Sequence, residues 1–234
     1  MVDQQTKDRI RQNWQSVVRD VHAATDAASR PADSVHVVGV SKYVDAETTL
    51  ALAQAGCHAL GENRPQLLWQ KNEAVTFPAD VRWHLIGHLQ RNKIRRSLPL
   101  SPLIHSVDSD RLMTAIADES ILQRRTTTVL VEVNISGEKA KTGLSPEAVE
   151  HLLTHLPSEG VNVVGLMAMA GWGTDQQDAR AQFAQTRSLR DDLQQRLGIS
   201  LPELSMGMSG DFAAAIAEGA TMVRIGSRLF EGVR

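Results

Sequence analysis

The sequence predicts a (β/α)8 barrel with one extra helix in front. Roughly eight short apolar segments rich in Val, Ile, Leu and Thr each precede a stretch of helical periodicity, and no linker divides the chain. The rival for an alternating chain is an open doubly wound sheet, but its phosphate fingerprint G-x-G-x-x-G does not follow the first strand.

The extra helix runs from about Gln5 to Ser29, with Ile10, Trp14, Val17, Val18 and Val21 on one face and Pro31 closing it. The first strand, Val35 to Lys42, is a run of β-branched residues around Gly39. Asp45-Ala46-Glu47 then opens a helix with acids at the positive end of its dipole, and Gly56 stops it. Cys57 to Gly61 reads as the second strand, Gln66 to Glu73 as a helix, Val81 to Gly87 as the third strand, and Arg91 to Arg96 as a basic helix. Leu103 to Val107 follows as a strand, Asp108 to Glu119 as a helix, and Thr127 to Asn134 as a strand. Ser145-Pro146-Glu147 begins a helix, because serine caps and proline suits the first turn. Val161 to Met167 is the sixth strand and Asp175 to Leu197 a long helix ended by Gly198. Glu203 to Met206, a helix from Asp211 to Glu218 and Thr221 to Ile225 complete the count. One domain over residues 1–234 is expected, with residues 1–30 packing on the barrel.

Composition removes several function classes. At 234 residues, 42% hydrophobic and 22% charged, the chain can bury a full core but has no stretch apolar and long enough to span a bilayer. A net charge of -2 gives no reason to expect nucleic acid or an anionic membrane as partner. The polar start, with no apolar segment behind it, and the single cysteine, Cys57, point to a cytoplasmic protein. A monomer is expected. His84 and His88 lie four apart on a strand-to-loop segment and share no helical face, so no zinc site is expected.

In such a barrel, function sits at the carboxyl ends of the strands. Lys42, Glu62, Asn63, His84, Asp108 and Asn134 fall at or near these ends in the first five strands. Lys42 reads two ways: a lysine snorkelling to solvent, or an amine whose neutral form is favoured by burial and which can attack a carbonyl. After the last strand, Gly226 and Ser227 suit a phosphate. Ser209 and Gly210 precede the helix from Asp211, where Ser209 is either a plain cap or an anion donor. Arg224 shares a strand face with Met222 and points into the barrel, where it must meet an acceptor, Glu132 being the structural candidate.

Val38-Gly-Val-Ser-Lys42, Gly61-Glu-Asn63, Trp83-His-Leu-Ile-Gly87, Leu89-Gln-Arg-Asn-Lys93, His105-Ser-Val-Asp108, Gly165-Leu-Met-Ala-Met169, Leu204-Ser-Met-Gly-Met-Ser209 and Val223-Arg-Ile-Gly226 together resemble the pyridoxal phosphate homeostasis proteins, the YggS/PROSC family. The resemblance runs from about Val35 to Gly232. It implies a barrel of the alanine racemase N-terminal type, with pyridoxal 5'-phosphate held as an internal aldimine on Lys42. It further implies that Ser209, Gly226 and Ser227 hold the phosphate, that Arg224 faces the pyridine nitrogen, and that Asn63 and Met167 line the ring. Lys141 matches a loop lysine of the family and reads otherwise as a solvated charge. The chain departs from the family's usual Ser-Lys-Thr-Lys-Pro: it has Ser41-Lys-Tyr-Val-Asp45.

Racemase chemistry needs a second acid/base on the far face of the substrate. The only tyrosine, Tyr43, follows Lys42 and would be directed to the opposite side on a strand. An arginine at the ring nitrogen weakens the ring as an electron sink. The expectation is therefore a carrier that holds the cofactor and delivers it, with pyridoxal phosphate-requiring apoenzymes as recipients and no efficient turnover. A weak amino acid racemase or lyase on the same site is the alternative, and a Schiff-base aldolase acting on a phosphosugar is a third reading.

Overall fold

The computed structural model describes residues 2–138, 142–171 and 173–233. Eight strands pair in parallel in the order of the chain, and the eighth closes on the first. They are β1 (His36–Val40), β2 (Ala59–Glu62), β3 (Arg82–Leu85), β4 (Leu103–Val107), β5 (Thr127–Val133), β6 (Val161–Ala168), β7 (Glu203–Met208) and β8 (Met222–Ile225). The barrel and the extra helix agree with the sequence expectation.

The helices are α1 (Gln4–Ala27), α2 (Ala46–Gln54), α3 (Pro65–Ala74), α4 (Ile94–Ser97), α5 (Asp110–Leu122), α6 (Pro146–Thr154), α7 (Gln176–Leu197) and α8 (Phe212–Ala217). Asp3 caps α1 by accepting from the Thr6 amide, and Ile10, Val17, Val21 and Thr25 form its buried stripe. That stripe rests on α2, α8 and the closing 3-10 turn Ser227–Phe230, while Asn13 donates to the Leu229 and Glu231 carbonyls. The extra helix thus clasps the two ends of the barrel sequence together.

Strand alternation divides the residues cleanly. Val223 and Ile225, Leu166 and Ala168, and Leu204 and Met206 face the helices and belong to the hydrophobic cluster, whereas Met222, Arg224, Met167 and Ser205 alternate with them and are buried outside it. The interior of the barrel is accordingly part polar.

Several expected boundaries move. The basic segment is three short pieces, a 3-10 turn Arg91–Lys93, α4, and a second 3-10 turn Leu98–Leu100, because Pro99 interrupts a longer helix. Its charges pair with acids of neighbouring helices, Arg95 with Glu119 and Arg96 with Glu73. Helix α5 begins at Asp110 with Ser109 as its cap, so Asp108 is released to the barrel rim. Helix α8 is only six residues long, with Asp211 rather than Ser209 at its cap position.

Asp45 caps α2 by accepting from the Thr48 amide at 2.8 Å, and that bond holds its carboxyl below the usual range. The residue that replaces the family's proline thus has a local task. Asp45→Ala is expected to lower stability by about 1 kcal/mol, the usual worth of such a cap, read as a shift of the urea midpoint with unchanged slope.

Candidate functional site

The seven residues singled out from the sequence lie on one continuous arc of the barrel. Met167 is on β6, Ser209 follows β7, Arg224 is on β8 with Gly226 and Ser227 after it, Lys42 follows β1, and Asn63 follows β2. Register makes the arc tight: Val38 pairs with Arg224 and Gly39 with Ile225, so Lys42 and Gly226 leave adjacent strands at the same pole. Met167 pairs with Ser205, one strand short of Arg224.

Lys42 stands two residues beyond β1, in a turn, and is half-buried. Its Nζ lies 4.9 Å from the centre of the Tyr43 ring. Tyr43 is therefore not turned to the opposite side: strand alternation ends at Val40, and the turn brings the two side chains together. The Tyr43 side chain is otherwise open to solvent, at 89% exposure.

Arg224 is 4% exposed. Its Nη1 donates to the carbonyl and the hydroxyl of Ser205, both at 2.7 Å, and its Nη2 donates to the Ala168 carbonyl at 2.9 Å. These acceptors replace the expected Glu132 partner, whose carboxylate instead accepts from the Thr142 hydroxyl. Burial pushes the guanidinium down to about 10, against the pull of Asp211 and Glu132, so it remains cationic at neutral pH. Burial likewise raises the Glu132 carboxyl.

At the phosphate-like end, the Gly226 amide faces the Ser209 hydroxyl at 3.4 Å. A Cβ at Gly226 would lie 3.4 Å from both the Cβ and the carbonyl oxygen of Val40, so glycine lets β8 run close against the end of β1. The first amides of the turn from Ser227 have no acceptor within that turn. Asp211 does not oppose an anion here as directly as its sequence position suggests, because its carboxylate accepts from the Met208 amide. Asn63 sits where Gly87 approaches: a Cβ on Gly87 would come within 2.4 Å of the Asn63 carbonyl oxygen. Lys141 lies outside the described residues.

Two polar networks were not foreseen as such. Glu62 was expected to face the pole, but alternation turns it outward under α3, where Lys71 Nζ donates to its Oε1 and also to the Ser41 carbonyl at 2.7 Å. The Ser41 hydroxyl donates to the same oxygen at 2.7 Å. Glu62 and Lys71 are 0% and 4% exposed, and burial lowers the Lys71 amine while Glu62 opposes that shift. The peptide that enters Lys42 is thus held by a buried ion pair. A helical lysine among polar neighbours gives no sign of such burial until α3 is docked. The second network joins His84, His105 and Ser205 in the barrel interior, with His84 Nδ1 2.9 Å from His105 Nε2 and His105 Nδ1 2.9 Å from Ser205 Oγ.

The remaining sequence candidates fall away from the arc. His88 and Asp108 pair at 3.0 Å on the rim, and Asn134 binds its own loop through the Glu138 carbonyl and the Gly137 amide. Cys57 is fully buried, and burial pushes its thiol up to about 12, which leaves it a small core residue and not a nucleophile. No group of three or more side chains that could hold a metal ion occurs among the described residues, and none of their helices is long and apolar enough to cross a membrane.

The alanine racemase N-terminal domain family matches the chain over residues 6–232. A pyridoxal phosphate homeostasis protein of Aquifex aeolicus is 39% identical over 215 residues, spanning 92% of this chain and 94% of the relative. The chain belongs to the pyridoxal phosphate homeostasis protein family. Among solved structures, PipY of Synechococcus elongatus PCC7942 with PLP bound superposes with a TM-score of 0.84 at 33% identity, covering 94% of this chain and 99% of that one. A D-threonine aldolase from Filomicrobium marinum, with a TM-score of 0.73 at 16% identity, covers 96% of this chain and 61% of its own and shares the fold alone. Family membership rests on nearly the whole length of the chain.

Proposed function

We propose that this chain binds pyridoxal 5'-phosphate and serves its homeostasis, holding the cofactor covalently on Lys42 and passing it to apoenzymes that require it. The observation that carries the proposal is the buried, thrice-bonded Arg224 guanidinium on the strand that pairs with the one leading to Lys42. A cation fixed on one strand and an amine at the end of the next suit a ligand with an acceptor nitrogen and an aldehyde. The donor set at the ends of β7 and β8 fits the third group, a phosphate: the Ser209 hydroxyl, the Gly226 amide and the first amides of the Ser227 turn. PipY, a relative alike over nearly its whole length, is known with PLP bound.

Asn63 and Met167 would flank the ring from β2 and β6. When bound, pyridoxal phosphate supplies an electrophilic carbonyl and a conjugated ring. Arg224 can donate a hydrogen bond to the ring nitrogen but does not yield a proton at neutral pH, which keeps that nitrogen unprotonated. Tyr43 shares the side of Lys42, so it cannot act as a base on the face opposite that lysine. Both features support a carrier and not a racemase.

The test is a spectrum and an assay. Purified protein with added pyridoxal phosphate is expected to gain a visible absorption band, and a panel of L-amino acids is expected to show no α-proton exchange at enzyme-like rates. Robust exchange would replace the carrier by a racemase or lyase on the same residues. A colourless protein that gains no band would reject the cofactor altogether.

A further inference from the structure

We infer that Ser205, His105 and His84 are positioning residues for Arg224, a single hydrogen-bonded row that aims the guanidinium and carries its orientation to the opposite mouth of the barrel. This rests on the reading of Arg224 as the partner of a cofactor nitrogen, and it concerns three residues of β7, β4 and β3 that are not among the seven of the arc.

The direction of every bond in the row follows from the arginine, which can only donate. Arg224 Nη1 donates to Ser205 Oγ, so that oxygen is an acceptor and its own proton must go elsewhere. His105 Nδ1, 2.9 Å away, takes it. His105 then carries its proton on Nε2 and donates it across 2.9 Å to His84 Nδ1. His84, having accepted on Nδ1, keeps its proton on Nε2. In the reverse direction the Ser205 oxygen would face two donors while its proton lost its acceptor in a buried place, which is the costlier arrangement.

The four residues come from β8, β7, β4 and β3, and all are 8% exposed or less. Both rings are neutral: burial, with His36 nearby, pushes His84 down to about 4, and burial, with His84 and Arg224 beside it, holds His105 well below the ordinary histidine range. A charged His105 would present a donor to the serine and reverse the row. With it intact, three of the five guanidinium N–H groups are committed to Ser205 and Ala168, which leaves the arginine one orientation.

At its far end the row opens. His84 lines a cavity of about 460 Å³ at the amino-terminal mouth, together with His22, His36, His58 and Met222. The row that begins at Arg224 therefore ends, two side chains beyond Ser205, at the pole opposite Lys42.

Two experiments decide this. Nitrogen-15 NMR of the histidine rings, on the unaltered chain without added cofactor at neutral pH, is expected to show His84 and His105 neutral with the proton on Nε2. A proton on Nδ1 of His105, or a charged ring, would overturn the row. With pyridoxal phosphate, Ser205→Ala and His105→Asn are each expected to weaken binding about tenfold and to move the visible band and its pH midpoint, while the unfolding temperature of Ser205→Ala stays near that of the parent. Unchanged affinity, band and pH midpoint in both variants would overturn the positioning role. A parent protein with no band would instead reject the cofactor reading and the role with it, whereas the ring tautomers still judge the row itself.

Discussion

Lys71→Met is expected to destabilise the protein by about 3–5 kcal/mol, the cost of leaving one member of a buried ion pair without the other. Glu62 is 0% exposed and its Oε2 has no hydrogen-bond partner among the described residues, so loss of the Lys71 ammonium leaves the Ser41 hydroxyl as the one donor among them on the carboxylate. The double variant Glu62→Leu, Lys71→Met is expected to recover most of that loss, since two apolar groups need no partners. Urea unfolding of the two singles and the double measures the coupling. A single variant that costs under about 1 kcal/mol would mean that the pair is solvated, which its burial denies. The Ser41 carbonyl also loses a donor in Lys71→Met, so the turn that presents Lys42 is expected to loosen with it.

A second large effect is expected from acid. His84 titrates at about 4 in the folded chain against 6.5 for an unperturbed ring, chiefly through burial. The folded value is depressed, so the unfolded chain takes up the proton first as pH falls. The stability contributed by the neutral ring is complete above about pH 6.5 and is lost progressively toward pH 4. By linkage His84 alone costs about 2 kcal/mol between pH 7 and pH 5, and His105, shifted in the same direction, adds to it. The groups acting on the pair are His36 from β1 and Arg224 from β8, both of which oppose a further positive charge. His84→Gln is expected to flatten the dependence of the urea midpoint on pH in this window. An equal slope in that variant would contradict the assignment.

The barrel could be read from the chain because its signals are local. Strand runs such as Leu103 to Val107, the Ser145-Pro146 helix start and the Gly198 stop each depend on a few adjacent residues. The shared pole of the candidate residues was legible for a related reason: in a closed parallel barrel, residues that follow consecutive strands must share one pole. What sequence could not supply were contacts set by which face a side chain takes once helices dock. Glu62 looked like a polar residue of the pole, but α3 covers it, and Lys71 is identified as its partner only by that packing. Arg224 was expected to meet an acceptor, with Glu132 as the structural candidate, whereas the barrel supplies the Ser205 and Ala168 carbonyls and a hydroxyl. Tyr43 was misplaced because alternation was carried past Val40 into a turn, where it no longer holds.

The proposed attachment of the cofactor to Lys42 is tested most directly by reducing the pyridoxal phosphate-loaded protein with borohydride and mapping the labelled peptide. Lys71 is the instructive competitor, because burial favours its neutral amine, yet it is enclosed between β2 and α3 with Glu62. The expected result is one reduced pyridoxyl group, on Lys42, that disappears in Lys42→Ala. A label on Lys71 or any other lysine of the parent protein would contradict it.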